Sequence, residues 1–232
     1  THAGHAAELA RTLNFDGVDG LVALGGDGTL SEVASGFLGR QDGAAASVPL
    51  GFLPGGTGNT FMHDALGIAP RSRPTAAMKA AVEAIIGGRC RRVDAAKCEC
   101  RGLDGSSAVT TYSINIVTCG LGVDASYAAE KRRWMGTMRY DYSIIREILK
   151  IPCKPAIRCT LTIDGGEPTE LDLMVLTIMN NKRSGVGLRI SPAAQLDDGR
   201  LDVMYNSKKI GRIGQALHLD KQIKRGGAHV ND

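Results

Sequence analysis

Apolar residues in the first 90 positions of the chain follow two alternating patterns. Short apolar runs at residues 21–24 and 48–53 are typical of buried strands. Helical spacing of apolar residues covers residues 1–13, 30–37 and 76–86. Strands that alternate with amphipathic helices predict a parallel sheet with helices packed against it.

The pattern changes near residue 92, where alternating and β-branched runs replace most of the helical spacing. The strands predicted from this pattern cover residues 108–118, 156–163, 169–179 and 201–205. A helical segment, residues 126–150, interrupts these strands. Residues 119–124, between the first of them and the helical segment, are predicted to form a turn. We therefore predict an α/β domain over residues 1–92 and a mainly antiparallel β domain over residues 93–232.

A glycine-rich turn joins the first predicted strand to the following helix. Its sequence, Gly25-Gly26-Asp27-Gly28-Thr29-Leu30-Ser31, places one carboxylate among three glycines. Glycine lets the backbone approach a ligand closely, and the free N–H groups of a helix N-terminus favour a phosphate. A carboxylate there repels phosphates unless it binds a metal or takes a proton. Its presence therefore indicates a loop that takes part in a reaction of the phosphate, beyond simply binding it. Taken alone, the composition fits an ordinary turn equally well.

A second glycine-rich loop follows the second predicted strand. Its sequence, Pro54-Gly55-Gly56-Thr57-Gly58-Asn59-Thr60, leads into another helical pattern. The carboxyl ends of parallel strands meet at one edge of a sheet, and open α/β sheets bind ligands at that edge. The two loops are therefore predicted to form one binding site.

This pair of loops resembles the diacylglycerol kinase catalytic-domain superfamily, which includes bacterial lipid kinases, sphingosine kinases and ceramide kinases. NAD kinases share the first loop and usually lack the second. The resemblance implies a three-layer α/β nucleotide-binding domain of the NAD kinase/diacylglycerol kinase type, followed by an antiparallel β-sandwich domain. It also implies ATP as the phosphoryl donor, Mg²⁺ as the metal, and transfer of the γ-phosphate to a lipid hydroxyl.

The resemblance assigns residues of this chain to a nucleotide site. The assigned residues are Thr1, Gly25, Gly26, Asp27, Gly28, Thr29, Leu30, Ser31, Thr57 and Asn59. Asp27 is the predicted catalytic residue, which takes a proton from the lipid hydroxyl or positions the metal network. In sphingosine kinases the matching carboxylate is regarded as the base. Thr1, at the start of the first helix, also fits a simple helix N-cap.

Two family elements are absent from this sequence. One is the first strand, and the other is an Asp-Gly-Glu segment after a Gly-x-His element, matched here by Gly227-Ala228-His229. In bacterial diacylglycerol kinases that segment carries the catalytic base. We therefore expect a fragment that is truncated at both ends and lacks part of the catalytic machinery.

A third stretch, residues 190–203, contains an Asp-Asp-Gly turn between a proline and a predicted strand. Such a composition fits an ordinary turn. It also resembles the family's Pro-x-Ala-x-x-x-Asp-Gly-x-x-Asp signature, whose loop holds a structural Mg²⁺ in bacterial members. The resemblance gives Asp198 as the carboxylate ligand, with the backbone carbonyls of Gln195 and Arg200 as partners. Oxygen ligands from a tight loop suit a hard cation, and we predict a metal site here.

Composition limits the partners of the protein. A net charge of +4 is too small to predict nucleic-acid binding, and no apolar run approaches the length of a membrane span. The six scattered cysteines predict reduced thiols in a cytosolic protein rather than a zinc site. We expect a cytoplasmic protein, peripheral at membranes, whose lipid substrate at the membrane surface is diacylglycerol, a sphingoid base or ceramide.

Several alternatives remain open from the sequence. The basic segment around Trp134 fits either a lipid-docking surface or a solvated helix face with the tryptophan packed inward, and we favour the second. For function, the alternatives are an NAD kinase-like enzyme and a non-catalytic module that binds nucleotide or lipid. The oligomeric state is also open, with a homodimer as one alternative.

Overall fold

The computed structural model describes residues 2–69, 73–102, 104–136, 138–150, 153–184 and 188–205. The chain divides into two compact units. The first unit contains Thr1–Asn115 and Gln195–Leu201, and the second contains Ile116–Ala194 and Asp202–Asp232. This division falls later than the change of pattern near residue 92. The two boundaries differ because the hairpin of residues 96–113 has the residue pattern of β-strands but belongs to the first unit.

The first unit contains a parallel strand pair, helices and an antiparallel hairpin. Its elements are α1 (His5–Thr12), β1 (Leu21–Gly25), α2 (Asp27–Leu38), α3 (Ala44–Ser47), β2 (Leu50–Pro54), α4 (Thr60–Ala65), α5 (Pro74–Ile86), β3 (Ala96–Cys100) and β4 (Val109–Ser113). β1 and β2 pair in parallel, with Leu21 opposite Leu50 and Gly25 opposite Pro54. The prediction of two parallel strands is confirmed, and their carboxyl ends lie at the same edge.

Helix α2 supplies much of the core of the first unit. Its buried residues Leu30, Val33 and Phe37 belong to one apolar cluster that also contains Phe52 of β2. Helix α1 approaches α2 closely at Gly36, where an added Cβ would lie 2.7 Å from the carbonyl carbon of Ala7. Only glycine allows this contact, because any larger side chain would push the two helices apart.

The second unit is built from antiparallel strands and two longer helices. Its elements are β5 (Ile116–Gly120), α6 (Leu121–Glu130), a 3₁₀ turn (Arg133–Met135), α7 (Met138–Leu149), β6 (Ile157–Leu161), β7 (Thr169–Leu173), β8 (Val175–Met179), β9 (Arg183–Ser184), β10 (Leu188–Arg189) and β11 (Asp202–Tyr205). β8 pairs with both β5 and β11, and β6 pairs with β7, all antiparallel. None of the helices in the described ranges is long and apolar enough to cross a bilayer.

Three local predictions are wrong. The strand predicted over 108–118 is interrupted between β4 and β5, where the chain passes from the first unit to the second. The strand predicted over 169–179 breaks at Met174, whose carbonyl accepts the N–H of Leu121 at 2.9 Å, and the two halves pair with different strands. The turn predicted at 119–124 is the end of β5 followed directly by α6.

Candidate phosphate-binding site

The two glycine-rich loops contact each other backbone to backbone at the carboxyl ends of β1 and β2. The N–H of Gly55 donates to the carbonyl of Gly25 at 2.6 Å. A Cβ added to Gly26 would lie 3.2 Å from the Cα of Gly56, and a Cβ added to Gly56 would overlap the Cα of Gly26. Glycine is therefore required at this contact because of space, in addition to any need to approach a ligand.

The first loop leads directly into the N-terminus of α2. Gly26 is the N-cap in an extended conformation, and no side chain caps the helix. The N–H of Leu30 donates to the carbonyl of Gly26 at 3.0 Å, and the Leu30 side chain is buried in the core. The N–H groups of Asp27, Gly28 and Thr29 precede this first helical hydrogen bond and are the ones that suit an anion.

The other predicted residues of the first loop have different surroundings. The Thr29 side chain lies over Gly25, where an added Cβ would be 2.6 Å from the Cβ of Thr29. Ser31 is exposed on the first turn of α2. Neither arrangement tests the predicted nucleotide contacts of these residues.

Asp27 connects the first loop to the start of α4. Its Oδ2 accepts a hydrogen bond from Thr60 Oγ1 at 3.2 Å, and its Oδ1 accepts one from the N–H of Phe61 at 3.4 Å. Asp27 is half-buried, whereas Thr60 is buried. The sequence did not predict this contact, although Thr60 is the last residue of the second loop, which was predicted to lie beside the first. The carboxylate is therefore held by the N-terminus of α4, which favours a negative charge.

Asn59 holds the second loop closed. Its backbone is left-handed (φ 50°), its Oδ1 accepts the N–H of Gly56 at 3.0 Å, and its Nδ2 donates to the Gly56 carbonyl at 2.8 Å. The predicted contact of Asn59 with a nucleotide stays a prediction, as does that of the exposed Thr57. Thr1 and residues 227–229 lie outside the described residues. The N-cap of α1 is Gly4, so the alternative of Thr1 as the N-cap of this helix is wrong.

The loop that contains Asp198 is held by residues just before β3. Asp198 Oδ1 accepts the N–H of Arg200 at 3.0 Å, which closes a tight turn. Asp94 Oδ2 accepts the N–H of Gly199 at 2.7 Å, and the N–H of Asp94 donates to the Leu196 carbonyl at 2.7 Å. The role of Asp94 could not be predicted from the sequence, because its partners lie about a hundred positions further along the chain.

The residues of this loop are compatible with a hard cation. Gln195, Asp198 and Arg200 are all exposed and lie within one short turn. A carboxylate and backbone carbonyls are the oxygen ligands that a hard cation prefers. An ion pair between Arg91 and Asp197, at 2.7 Å, further fixes the loop. The donor set therefore fits Mg²⁺, and the metal assignment itself stays a prediction.

The second unit carries a cluster of charged side chains around Glu147 of α7. The Glu147 side chain is only 4% exposed and accepts hydrogen bonds from Lys150 at 2.9 Å, Lys154 at 2.7 Å and Arg146 at 2.8 Å. Lys154 also pairs with Asp124 of α6. These residues line part of a cavity of about 450 Å³.

Neighbouring charges shift the pKa values of Glu147 and Lys154. Burial opposes the ionisation of Glu147, but the hydrogen bonds from Lys154 and Lys150 outweigh it and hold its pKa below the usual value. Burial likewise opposes the charge of Lys154, but the hydrogen bonds to Asp124 and Glu147 outweigh it and raise the pKa of the ammonium group. Glu147 and Lys154 therefore stay ionised at neutral pH, and Lys154 links Glu147 of α7 to Asp124 of α6.

Trp134 lies in the 3₁₀ turn between α6 and α7 and is 84% exposed. The favoured interpretation, a tryptophan packed inward, is therefore wrong. The residue belongs to a three-residue turn and not to a helix, so helical spacing does not place it on a packed face. The alternative of a lipid-docking surface at this segment stays a prediction.

Comparison with known proteins places these loops in a family. Residues 1–98 match the family model described as the diacylglycerol kinase catalytic domain, and residues 115–232 match the model described as the YegS C-terminal NAD kinase beta sandwich-like domain. The chain thus belongs to the diacylglycerol kinase catalytic-domain superfamily, whose members include diacylglycerol, sphingosine and ceramide kinases. This family membership confirms the resemblance in the two glycine-rich loops.

Individual relatives agree with this result. Sphingosine kinase 1 of Arabidopsis thaliana is 34% identical over 146 residues, which is 62% of this chain and 28% of that protein. A diacylglycerol kinase of Mycobacterium tuberculosis is 28% identical over 230 residues, which is 98% of this chain and 67% of that protein. The chain thus spans less than a third of the first relative and about two thirds of the second.

A solved structure supports the fold class. The crystal structure of a diacylglycerol kinase from Bacillus anthracis has a TM-score of 0.61 and 22% identity, and the match covers 97% of this chain and 64% of that one. The predicted fold, an N-terminal α/β domain followed by a β-sandwich-like domain, is confirmed.

Proposed function

We propose that the protein is an ATP-dependent kinase that transfers the γ-phosphate to the hydroxyl of a lipid at a membrane surface. The observation that carries this proposal is the contact between the two glycine-rich loops, where Gly55 donates to Gly25 beside the uncapped start of α2. This contact brings two helix N-termini and one carboxylate to the same sheet edge. The lipid kinases among the relatives supply the substrate class.

The phosphates would be held mainly by backbone groups. The N–H groups of Asp27, Gly28 and Thr29 point along α2 toward the loop, where the helix dipole favours negative charge. The hydroxyls of Thr29 and Thr57 would add hydrogen bonds. Gly28 is exposed and has no atom near the position of a Cβ, which leaves open space for a phosphate.

Asp27 would accept the proton of the lipid hydroxyl. Its two hydrogen bonds, from Thr60 and from the N–H of Phe61, hold the carboxylate in one orientation without a direct cationic partner in those contacts. A carboxylate fixed in this way can act as a general base when the hydroxyl approaches to hydrogen-bond distance. Phosphoryl transfer otherwise depends on alignment and on neutralising charge.

Mg²⁺ has two places in this proposal. The Asp198 loop, with the carbonyls of Gln195 and Arg200, would hold a structural ion. A second ion, carried with ATP, supplies positive charge that offsets the negative charge of the phosphates when it is bound. If Asp27 does not itself take the proton, it would orient the groups that surround this second Mg²⁺ ion.

Phosphate transfer from labelled ATP to lipids in mixed micelles tests this function. The full-length gene product would be offered diacylglycerol, sphingosine and ceramide, with NAD as a soluble acceptor. We expect label on one lipid and a loss of about 10²–10⁴-fold in turnover for Asp27→Asn. Thr60→Val, which keeps the carboxylate but removes one of its hydrogen bonds, should lose at most about tenfold.

The controls separate the alternatives. Asp19→Asn removes an exposed carboxylate of the loop before β1 and should leave turnover unchanged. Equal losses in Asp27→Asn and Thr60→Val would indicate that Asp27 only anchors α4. Label on NAD alone would favour the NAD kinase-like alternative, and ATP binding without any transfer would favour a binding module.

A further inference from the structure

The start of α1 carries three metal-ligating side chains that have no assigned role in the phosphate site. His2, His5 and Glu8 each offer one ligand atom, and these atoms all lie within 4.8 Å of one another. His2 Nε2 and His5 Nδ1 are each 3.8 Å from Glu8 Oε2. Within the described part of the chain, no other group of three or more His, Cys, Asp or Glu side chains is placed this closely.

The backbone brings these side chains together. Gly4, the N-cap of α1, is left-handed (φ 81°), and its carbonyl accepts the N–H of Glu8 at 3.0 Å. The N–H of His5 donates to the His2 carbonyl at 3.2 Å, which folds His2 back onto the first turn of the helix. The two imidazole rings consequently meet edge to face, with centroids 5.0 Å apart.

The hydrogen bonds of the histidines leave suitable nitrogens for a metal. His2 Nδ1 lies 2.9 Å from the Ala3 carbonyl. A carbonyl only accepts hydrogen bonds, so the proton is on Nδ1 and the lone pair is on Nε2, which faces Glu8. Metal-binding histidines are commonly oriented by such a bond from their other nitrogen. His5 Nδ1 is buried and has no hydrogen-bond partner among the described residues.

We propose that His2, His5 and Glu8 form a binding site for Zn²⁺ or a similar divalent transition metal. Ligand atoms at 2.0–2.2 Å from a tetrahedral ion are separated by about 3.4 Å, so the two 3.8 Å distances to Glu8 require only a few tenths of an ångström of closure. All three ligand atoms lie within 4.8 Å of one another, so the histidine nitrogens need to approach by at most about 1.4 Å, which the exposed His2 side chain allows. Three protein ligands leave a fourth position for water or another group.

The chemistry of the site distinguishes its ion from Mg²⁺. Two imidazole nitrogens suit Zn²⁺, Co²⁺, Ni²⁺ or Cu²⁺, whereas Mg²⁺ prefers oxygen ligands such as those of the Asp198 loop. The N-terminus of α1 opposes a cation, and the carboxylate of Glu8 offsets that effect. We therefore expect the His2–His5–Glu8 site to bind a transition metal and the Asp198 loop to bind Mg²⁺, each independently of the other.

Titration of the metal-free full-length protein with Co²⁺ tests this site without ATP or lipid. We expect a visible ligand-field spectrum of tetrahedral type, without the thiolate charge-transfer band that cysteine ligands would produce. His2→Ala and Glu8→Gln should each weaken the affinity by at least about tenfold. Glu83→Gln, which changes an exposed glutamate of α5, is the matched control and should bind as the unmodified protein does.

A second measurement keeps the test independent of folding defects. Zn²⁺ should raise the thermal unfolding temperature of the unmodified protein and of Glu83→Gln, but not of His2→Ala. The His2 side chain is 67% exposed, so this variant should unfold at the unmodified temperature without metal. Unchanged Co²⁺ affinity in His2→Ala, a thiolate-type spectrum, or the same Zn²⁺ shift in both proteins would overturn the proposal.

Discussion

The contact between the glycine-rich loops gives the sharpest test of the site. We consider Gly56→Ala, which adds one methyl group where the second loop meets the first. The new Cβ would overlap the Cα of Gly26 and lie 3.1 Å from Asn59 Oδ1. Carbon atoms prefer separations of about 3.5–4.0 Å, so the loops must move apart by roughly 1 Å.

Two effects follow from this displacement. Overpacking of this kind usually lowers the free energy of unfolding by about 1–3 kcal/mol. The short hydrogen bond from Gly55 to Gly25 would lengthen, with a loss of about 0.5–1.5 kcal/mol that overlaps with the first figure. A displacement of about 1 Å at a site for phosphoryl transfer should also lower turnover by about 10²-fold.

The assay combines urea unfolding with turnover and ATP affinity of the same variants. Gly20→Ala, where the nearest atom to an added Cβ is the Pro49 carbonyl oxygen at an ordinary 3.4 Å, is the control for adding a methyl group. The Cβ that Gly28→Ala adds has no atom within 4 Å, so the stability of this variant should not change. Its affinity for ATP should fall, because the Cβ enters the space proposed for the phosphates. Gly56→Ala with unmodified stability and turnover would refute the loop contact.

Three further perturbations test other parts of the molecule. Gly36→Ala should lower the free energy of unfolding by about 1–3 kcal/mol in urea titrations, because a Cβ there overlaps the backbone of Ala7, and an unchanged midpoint would contradict the close helix contact. The pKa of Glu147 is depressed, so its ion pairs stabilise the fold above the ordinary value of 4.5 and are lost as the pH falls through the folded value. Thermal unfolding of Glu147→Gln should therefore depend less on acid, and equal acid sensitivity would oppose the cluster's role. Mg²⁺ should raise the thermal unfolding temperature of the unmodified protein but not of Asp198→Asn, and equal shifts would oppose the metal assignment.

Elements with a local signal could be predicted from the sequence. β1 and β2 are short apolar runs that end at glycine-rich loops, and α5 has clear helical spacing. Each pattern is set by neighbouring residues, so no knowledge of distant contacts is needed. The parallel pairing then follows from the helix between the strands, and it brings both loops to one edge.

Elements that depend on distant partners could not be predicted in the same way. Residues 169–179 have a continuous β pattern, but β7 pairs with β6 and β8 pairs with β5 and β11. The break between them is decided by the change of partner at Met174, which local propensity does not record. Trp134 shows the same limit, because it lies in a short turn between two helices, where helical spacing does not predict which side chains are buried.

The site shows why glycine composition alone is ambiguous. The six glycines in the two loops are consistent with tight turns, with a ligand, or with contact between loops, and the structure shows that the third requirement applies at Gly26 and Gly56. Asp27 adds the argument for chemistry. Its carboxylate lies at the start of α4, so the N-termini of α2 and α4 are fixed with respect to each other by one acidic side chain. A turn needs neither this carboxylate nor this fixation, whereas the proposed transfer of a phosphate held at the start of α2 would use a fixed carboxylate as its base.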